Sequence, residues 1–420
     1  MKIKNIAIAN VKSFRTRTTI EFDSNFNIVI GPNASGKSNL LDIITISLRK
    51  FFLISYNQNK ENNSKRIRIN TDNPFSDLSL YLDKYLGCSD PSLIEFTFIV
   101  KSEDLYNLKI CKEEKNRFLS FLNSESINSE AIVNSFRNTN WDDSFFKEDD
   151  LIKYTVIDNQ FQLNTNSNLP IPKTDDESEI IEKYKEYIFL KYLNFHELFT
   201  LFQHMFPGKE FKPCFLMLSP YRAISSDQDF LGNLSQNSSV TLSHGLRNIT
   251  SKQSTSLIRL ATTYFSEKLR GFETDARKDG YEKMWEHDKE VLLVSGYLKR
   301  LGYSWTLELI NKNQNIYQIQ LEKQGHRLSL SQASSGEKEI INYLFGIFAL
   351  KISNGLIIID EPELHLHPRW QLLLLELFME LTVKTGNQFI VTTHSAVFIN
   401  VNSVSNLIRV YRKEQESKHV

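Results

Sequence analysis

Three short segments carry side chains whose types and spacing suit phosphate chemistry. The first is Gly31-Pro32-Asn33-Ala34-Ser35-Gly36-Lys37-Ser38. Its glycines let successive backbone N–H groups turn inward toward phosphate oxygens. A helix opening near Gly36 adds the positive end of its dipole. Lys37 can reach the outer phosphates, and the Ser38 hydroxyl can take a place on Mg²⁺. The expected nucleotide neighbours are therefore Asn33, Ala34, Ser35, Gly36, Lys37, Ser38 and the adjoining Asn39. The second segment is Leu356-Ile357-Ile358-Ile359-Asp360-Glu361. Four apolar residues read as a buried strand, with Asp360 at its carboxyl end, where ligands bind in open α/β sheets. Asp360 is the second expected Mg²⁺ residue. Glu361 can polarise an attacking water. The third is Val391-Thr392-Thr393-His394-Ser395, which ends another apolar strand. His394 there can touch a terminal phosphate and sense its loss.

The surrounding pattern supplies the elements that must hold these groups. Residues 2–10 and 17–22 alternate like strands, and Phe26–Ile30 is an apolar strand running into Gly31. After Lys37 the spacing of Leu40, Leu41, Ile44, Leu48, Phe51 and Phe52 is helical. Near the other end, Ser304–Ile310 and Ile316–Glu322 read as strands around a polar turn. Helices are expected over 336–351 and 368–385, and strands over 356–359, 388–392 and 407–411. Apolar strands alternating with helices predict an α/β fold with a parallel or mixed sheet. Between the blocks, 93–101 reads as a strand. The rest is mostly helical, over 113–137, 177–206 and 248–301. The expected domains are thus 1–110, a mostly helical insertion 111–300, and 301–420.

Composition narrows the function classes. Lys plus Arg and Asp plus Glu both number 50, so the chain as a whole does not attract nucleic acid electrostatically. Lys65-Arg66-Ile67-Arg68 is the densest basic cluster and reads as a solvated loop. Cys88, Cys111 and Cys214 form no CxxC pair, which fits reduced cytosolic thiols and neither a zinc site nor a disulfide framework. The amino-terminal segment reads as a strand and not as a signal peptide. No apolar run reaches the ~18 residues of a membrane span. A cytoplasmic protein without a membrane partner is expected.

Together the motifs resemble the ABC-type P-loop ATPases, in the branch that includes the SMC, RecF and OLD proteins. Ala333-Ser334-Ser335-Gly336-Glu337-Lys338 is similar to the signature motif of that family, at a helix start. Asp360-Glu361-Pro362-Glu363-Leu364-His365-Leu366-His367-Pro368 is similar to the Walker B and D-loop of OLD-like members. Asn10-Val11-Lys12-Ser13-Phe14 resembles the opening segment that lies near the nucleotide, which adds Lys12 and Phe14 to the site. The resemblance covers about 1–55 and 325–411 well and the middle loosely. It implies an ABC-type ATPase head whose two copies pair head to tail. ATP on the loop of one copy is then capped by Ser334, Ser335, Gly336 and Glu337 of the other. His365 and His367 fall in the D-loop, a reading that outweighs zinc ligation. Gln160 and Gln162 are candidates for the Q-loop. Met217-Leu218-Ser219-Pro220-Tyr221-Arg222 resembles the strand-to-Arg element of OLD-like ATPases, with Arg222 either a nucleotide or interface contact or a structural arginine.

OLD proteins carry a TOPRIM nuclease after the ATPase. Here 26 residues follow His394 (420 − 394). A nuclease, of HNH or TOPRIM type, is expected on a separate polypeptide, as in the Septu and PARIS anti-phage systems. The expected function is an ATP-gated oligomer that controls such an effector. The alternative is a RecF-like repair ATPase that clamps DNA directly.

Overall fold

The computed structural model describes residues 1–23, 25–52, 55–58, 67–70, 82–124, 130–161, 178–205, 211–218, 231–233, 257–275, 280–313, 316–328, 332–349, 352–364, 366–399, 406–413 and 416–419. The chain runs β1 (Lys2–Ala9), β2 (Thr18–Glu21), β3 (Phe26–Ile30), α1 (Lys37–Phe51), β4 (Ser55–Gln58), β5 (Ile67–Asn70) and β6 (Leu93–Ile99). There follow α2 (Ser102–Glu113), α3 (Lys115–Ser124), α4 (Glu130–Asn138), β7 (Leu151–Ile157), β8 (Gln160–Phe161), α5 (Ser178–Met205), β9 (Phe215–Leu218) and β10 (Leu231–Asn233). The next are α6 (Leu257–Asp275), α7 (Tyr281–Glu286), α8 (Lys289–Arg300), β11 (Ser304–Asn311), β12 (Ile316–Lys323), β13 (His326–Leu328) and α9 (Ser335–Ala349). The last are β14 (Leu356–Asp360), α10 (Pro368–Thr385), β15 (Gln388–Thr392), α11 (Ala396–Ile399), β16 (Asn406–Lys413) and β17 (Glu416–His419). They form two compact units, one of Met1–Leu218, Ser353–Pro362 and Met379–Val420, the other of Ser219–Ile352 and Glu363–Phe378.

The first unit contains a six-stranded sheet in the order β17-β16-β3-β15-β14-β9. All pairs from β16 to β9 are parallel, and β17 is antiparallel to β16. The sheet is therefore mixed, with a parallel core, as the alternating elements require. Every residue of β15 is buried, as are the first four of β14. Such strands are covered on both faces, which is why they read as unbroken apolar runs. A second sheet, β2-β1-β6-β7-β8, is antiparallel throughout. Buried amides fasten the two sheets at the entry ends of β3 and β15. Gln388 is fully buried. It donates to Ile3 O at 2.8 Å and Asp23 O at 2.7 Å, and accepts from Ile3 N at 2.8 Å. Its hydrogen-bonding groups are thus repaid inside the core.

Among the described residues between β6 and β11 helices predominate, and β7 interrupts them. Its sequence alternates exposed and buried positions and pairs with β6 along its whole length. Over the expected helix 113–137, residues 125–129 lie outside the described residues, and the described ones form the end of α2, then α3 and α4. Their core explains the many phenylalanines. Phe118 lies 4.6 Å from Phe136 and 4.5 Å from Phe199, ring centre to ring centre.

The second unit is built on the sheet β10-β12-β11, with β13 also on β12. Its helices α6 and α9 pack together. Phe265, Trp305 and Phe345 form their shared aromatic contact, at 5.0 to 5.8 Å. The start of α8 is capped by Asp288, whose Oδ1 accepts from Glu290 N and Val291 N at 3.0 Å. Among the described residues, no helix is long and apolar enough to cross a membrane.

Candidate nucleotide site

β3 leaves the sheet at Ile30 and the chain turns sharply at Gly31. A Cβ there would stand 2.0 Å from Val410 O and 2.5 Å from Ser35 Oγ, so only glycine permits this approach to the neighbouring β16. The turn closes with Ser35 N donating to Pro32 O at 3.2 Å. Ala34 (φ 60°) and Gly36 (φ 109°) take left-handed conformations, which rotate successive N–H groups into one concavity. Gly36 caps α1 without a side-chain hydrogen bond, and no acidic residue lies in its first turn. The positive end of the helix therefore meets no side-chain anion of its own. Lys37 folds back over the loop, donating to Gly31 O at 2.8 Å and Pro32 O at 3.1 Å. Pro32, Asn33, Ala34 and Ser38 are exposed, while Ser35, Gly36 and Lys37 are buried.

The other two segments stand on the same edge of the same sheet. β15 lies between β3 and β14. Thr392 is in register with Val29 on one side and Asp360 on the other. Adjacent strands run about 4.8 Å apart, so β3 and β14, which flank β15, lie about 10 Å apart at this edge. Glu361 follows in a left-handed conformation, φ 45°. His394 Nε2 is 3.4 Å from Glu361 Oε1. The oxygen donors Asp360 and Ser38 have the hardness and charge that suit Mg²⁺. The arrangement offers N–H groups and an ammonium for phosphates, oxygens for a hard cation, and a carboxylate beside an imidazole for a water.

Residues 10–14 are pinned along α1. Lys12, at φ 50°, pairs with Asp42 at 2.6 Å, and Asn39 donates to Ser13 Oγ at 2.9 Å. Asn39 and Asp42 share one helix face, so the segment follows the first turns of α1. Phe14 has no exposed surface and supports the segment from within the core, so its ring is not presented for direct contact.

In the second unit, Ser334 and Glu337 form a reciprocal cap at the start of α9. Ser334 N and Oγ donate to Glu337 Oε2 at 3.0 and 2.8 Å, and Glu337 N reaches Ser334 Oγ at 3.4 Å. Glu337 Oε1 also holds Lys323 at 2.7 Å. Glu337 thus shapes the helix start with both oxygens, while Gly336 is half-buried. Of Ser335 only the backbone is described, as the first residue of α9. Burial pushes the Glu337 carboxyl up. Hydrogen bonds from Lys323, Ser334 and Tyr303 outweigh it and hold the pKa at about 2, against an ordinary 4.5. A depressed folded-state value stabilises above the unfolded value and is lost as pH falls through the folded one. That contribution is lost progressively from pH 4.5 down toward 2. Melting curves of wild type and Glu337→Gln should therefore converge as pH falls through that range. A gap that pH does not change would contradict the assignment.

Several expected residues lie elsewhere or outside the described residues. Gln160 is exposed on β8. Arg222, Gln162, Lys65 and Arg66 fall outside the described residues, as does His365. His367 is exposed, and its Nδ1 accepts from Arg369 N at 3.3 Å at the start of α10. Sequence reasoning missed Asp42 and Thr392, whose partners come from segments remote in sequence. Lys12 alone gave a signal, since a half-buried lysine in a turn asks for a carboxylate.

A sequence profile described as AAA ATPase domain matches residues 1–399. The Retron Vc95 probable ATPase of Vibrio cholerae serotype O1 biovar El Tor is 23% identical over 418 residues, covering 95% of this chain and 71% of that protein. The Septu protein PtuA of Bacillus thuringiensis is 32% identical over 100 residues, covering 21% of this chain and 25% of the relative. An OLD nuclease of Thermus scotoductus is 39% identical over 66 residues, 16% of this chain and 12% of the relative. Apart from the retron protein, these matches span a quarter or less of the relatives' length.

Proposed function

Because the chain belongs to the AAA ATPase domain family, whose profile spans residues 1–399, we propose that it hydrolyses ATP with Mg²⁺ in a site completed by a second copy. In this reading the ATP cycle gates a separate effector, a nuclease, in cytoplasmic anti-phage defence. The observation that carries the ATPase reading is the alignment of three segments on one sheet edge. Gly31–Ser38, His394 and Asp360-Glu361 follow the adjacent parallel strands β3, β15 and β14.

Each group then has a role. The loop N–H groups and the start of α1 hold the phosphates, and Lys37 neutralises their charge. Mg²⁺, when held by Ser38 and Asp360, supplies positive charge to the phosphate oxygens. Glu361 accepts a hydrogen bond from the attacking water and draws its proton. His394, beside Glu361, faces the terminal phosphate. Lys12 follows α1 toward the nucleotide.

The second copy enters through the start of α9. Ser335 and Gly336 offer a hydroxyl and N–H groups at a helix start that Ser334 and Glu337 shape by their reciprocal cap, a type of site that suits the terminal phosphate of ATP bound by the other copy. Loss of that phosphate removes the bridging charge and releases the pair. Support for a defence role comes from the likeness of 95% of this chain to 71% of the Retron Vc95 probable ATPase, and from the partial likeness to PtuA.

Gly336→Asp tests the composite site. It sets a negative charge where a terminal phosphate would dock. ATP binding should persist while turnover falls about 10²–10³-fold, as when an oxyanion donor is removed. Full activity, measured as phosphate release, would refute sharing of the site between copies. Salt-dependent stimulation by duplex DNA would move the partner from a protein to nucleic acid.

A further inference from the structure

Thr392 is the last residue of β15 and is fully buried. Its Oγ1 donates to Asp360 Oδ1 at 2.5 Å. The same oxygen accepts the Glu361 N–H at 3.1 Å, and the Thr392 carbonyl accepts that N–H at 3.2 Å. A hydroxyl has one proton to give and lone pairs to receive. With the proton committed to the carboxylate, the lone pairs face the N–H, so the two bonds reinforce one another.

Both recipients need holding. Glu361 takes a left-handed backbone, φ 45°, which a non-glycine residue keeps only where its surroundings impose it. Asp360 ends the strand β14, and the bond from Thr392 Oγ1 favours one rotamer of its carboxylate. Thr392 also ties both to the strand that carries His394. The next residue, Thr393, anchors that strand to β3, with Thr393 N donating to Val29 O at 3.1 Å. Thr393 Oγ1 accepts from Ser395 N at 2.9 Å, fixing the turn around His394.

We infer that Thr392 is the positioning residue of the hydrolytic centre, its one hydroxyl setting the Asp360 carboxylate for the metal and the Glu361 turn for the water. This rests on the ATPase reading above. Thr392 is fully buried and acts through its hydrogen bonds to Asp360 and Glu361. Its effect therefore belongs to metal binding and turnover, and not to the grip of the loop on ATP.

Valine has the shape of threonine without the hydroxyl, and serine has the hydroxyl without the methyl. In the full chain, Thr392→Val should leave ATP binding in EDTA unchanged by calorimetry. The Mg²⁺ affinity of the ATP complex, also by calorimetry, should weaken about ten- to hundredfold, as for other partners that orient metal ligands. The turnover number should fall by a similar factor. Thr392→Ser should restore both. Wild-type Mg²⁺ affinity in Thr392→Val overturns the inference, as does a loss that serine does not rescue. Thr392→Ala gives a second hydroxyl-free chain should valine perturb folding. Failure of both to fold also overturns the inference, since the hydroxyl then serves stability. A wild-type protein that neither binds nor hydrolyses ATP would instead remove the ATPase reading itself.

Discussion

Replacing Glu361 with glutamine lowers the turnover number for ATP by about 10²–10⁴-fold, the span expected for loss of a positioned general base. Glutamine keeps the size and the left-handed turn but cannot take a proton from water. The backbone bonds from Glu361 N to Thr392 do not involve the side chain, so the turn should survive. The carboxylate is half-buried and 3.4 Å from His394 Nε2, close enough for the imidazole to orient it. ATP binding rests on the loop and α1 and should not change. Steady-state phosphate release, with ATP affinity measured on the same preparation, separates the two effects. Equal rates for wild type and variant would show that Glu361 is not the base.

Lys37→Ala acts on the other half of the site. Its ammonium lies against the carbonyls of Gly31 and Pro32, within the concavity that would take the phosphates. Each hydrogen bond to a charged group is worth about 1.5–3 kcal/mol. At about 1.4 kcal/mol per factor of ten, losing a contact shared by two phosphates weakens ATP binding by at least about 10²-fold. Alanine is the strongest helix former, so α1 should begin as before, while loss of the two bonds to Gly31 and Pro32 lowers the melting temperature without unfolding the chain. ATP affinity unchanged by calorimetry would sink the assignment of the loop.

The site was more legible than the scaffold around it. Phe26–Ile30, Leu356–Asp360 and Gln388–Thr392 are apolar runs bounded by turn or polar residues, and each is the strand its pattern implies. Local chemistry also marked Gly31 and Gly36, whose backbones need what glycine allows. Non-local pairing was not legible in the same way. The segment Leu151–Ile157 carries a period of two, yet nothing in it says that β6 is its partner or that it lies between helices. Thr392 was hidden for the same reason. It reads as one more residue of a buried strand until register sets it beside Asp360. Glu337 shows the converse. A family motif placed it toward a nucleotide, while the Ser334-to-Glu337 spacing already spelled a capping box, which its carboxylate forms.

Two copies sharing ATP is the central claim, and the hydrolysis-deficient Glu361→Gln chain tests it most directly, because bound ATP then persists. Sedimentation of that chain should show a mass that doubles when ATP and Mg²⁺ are added, and that does not double when Gly336→Asp is introduced as well. A mass that ATP leaves unchanged would contradict the shared site.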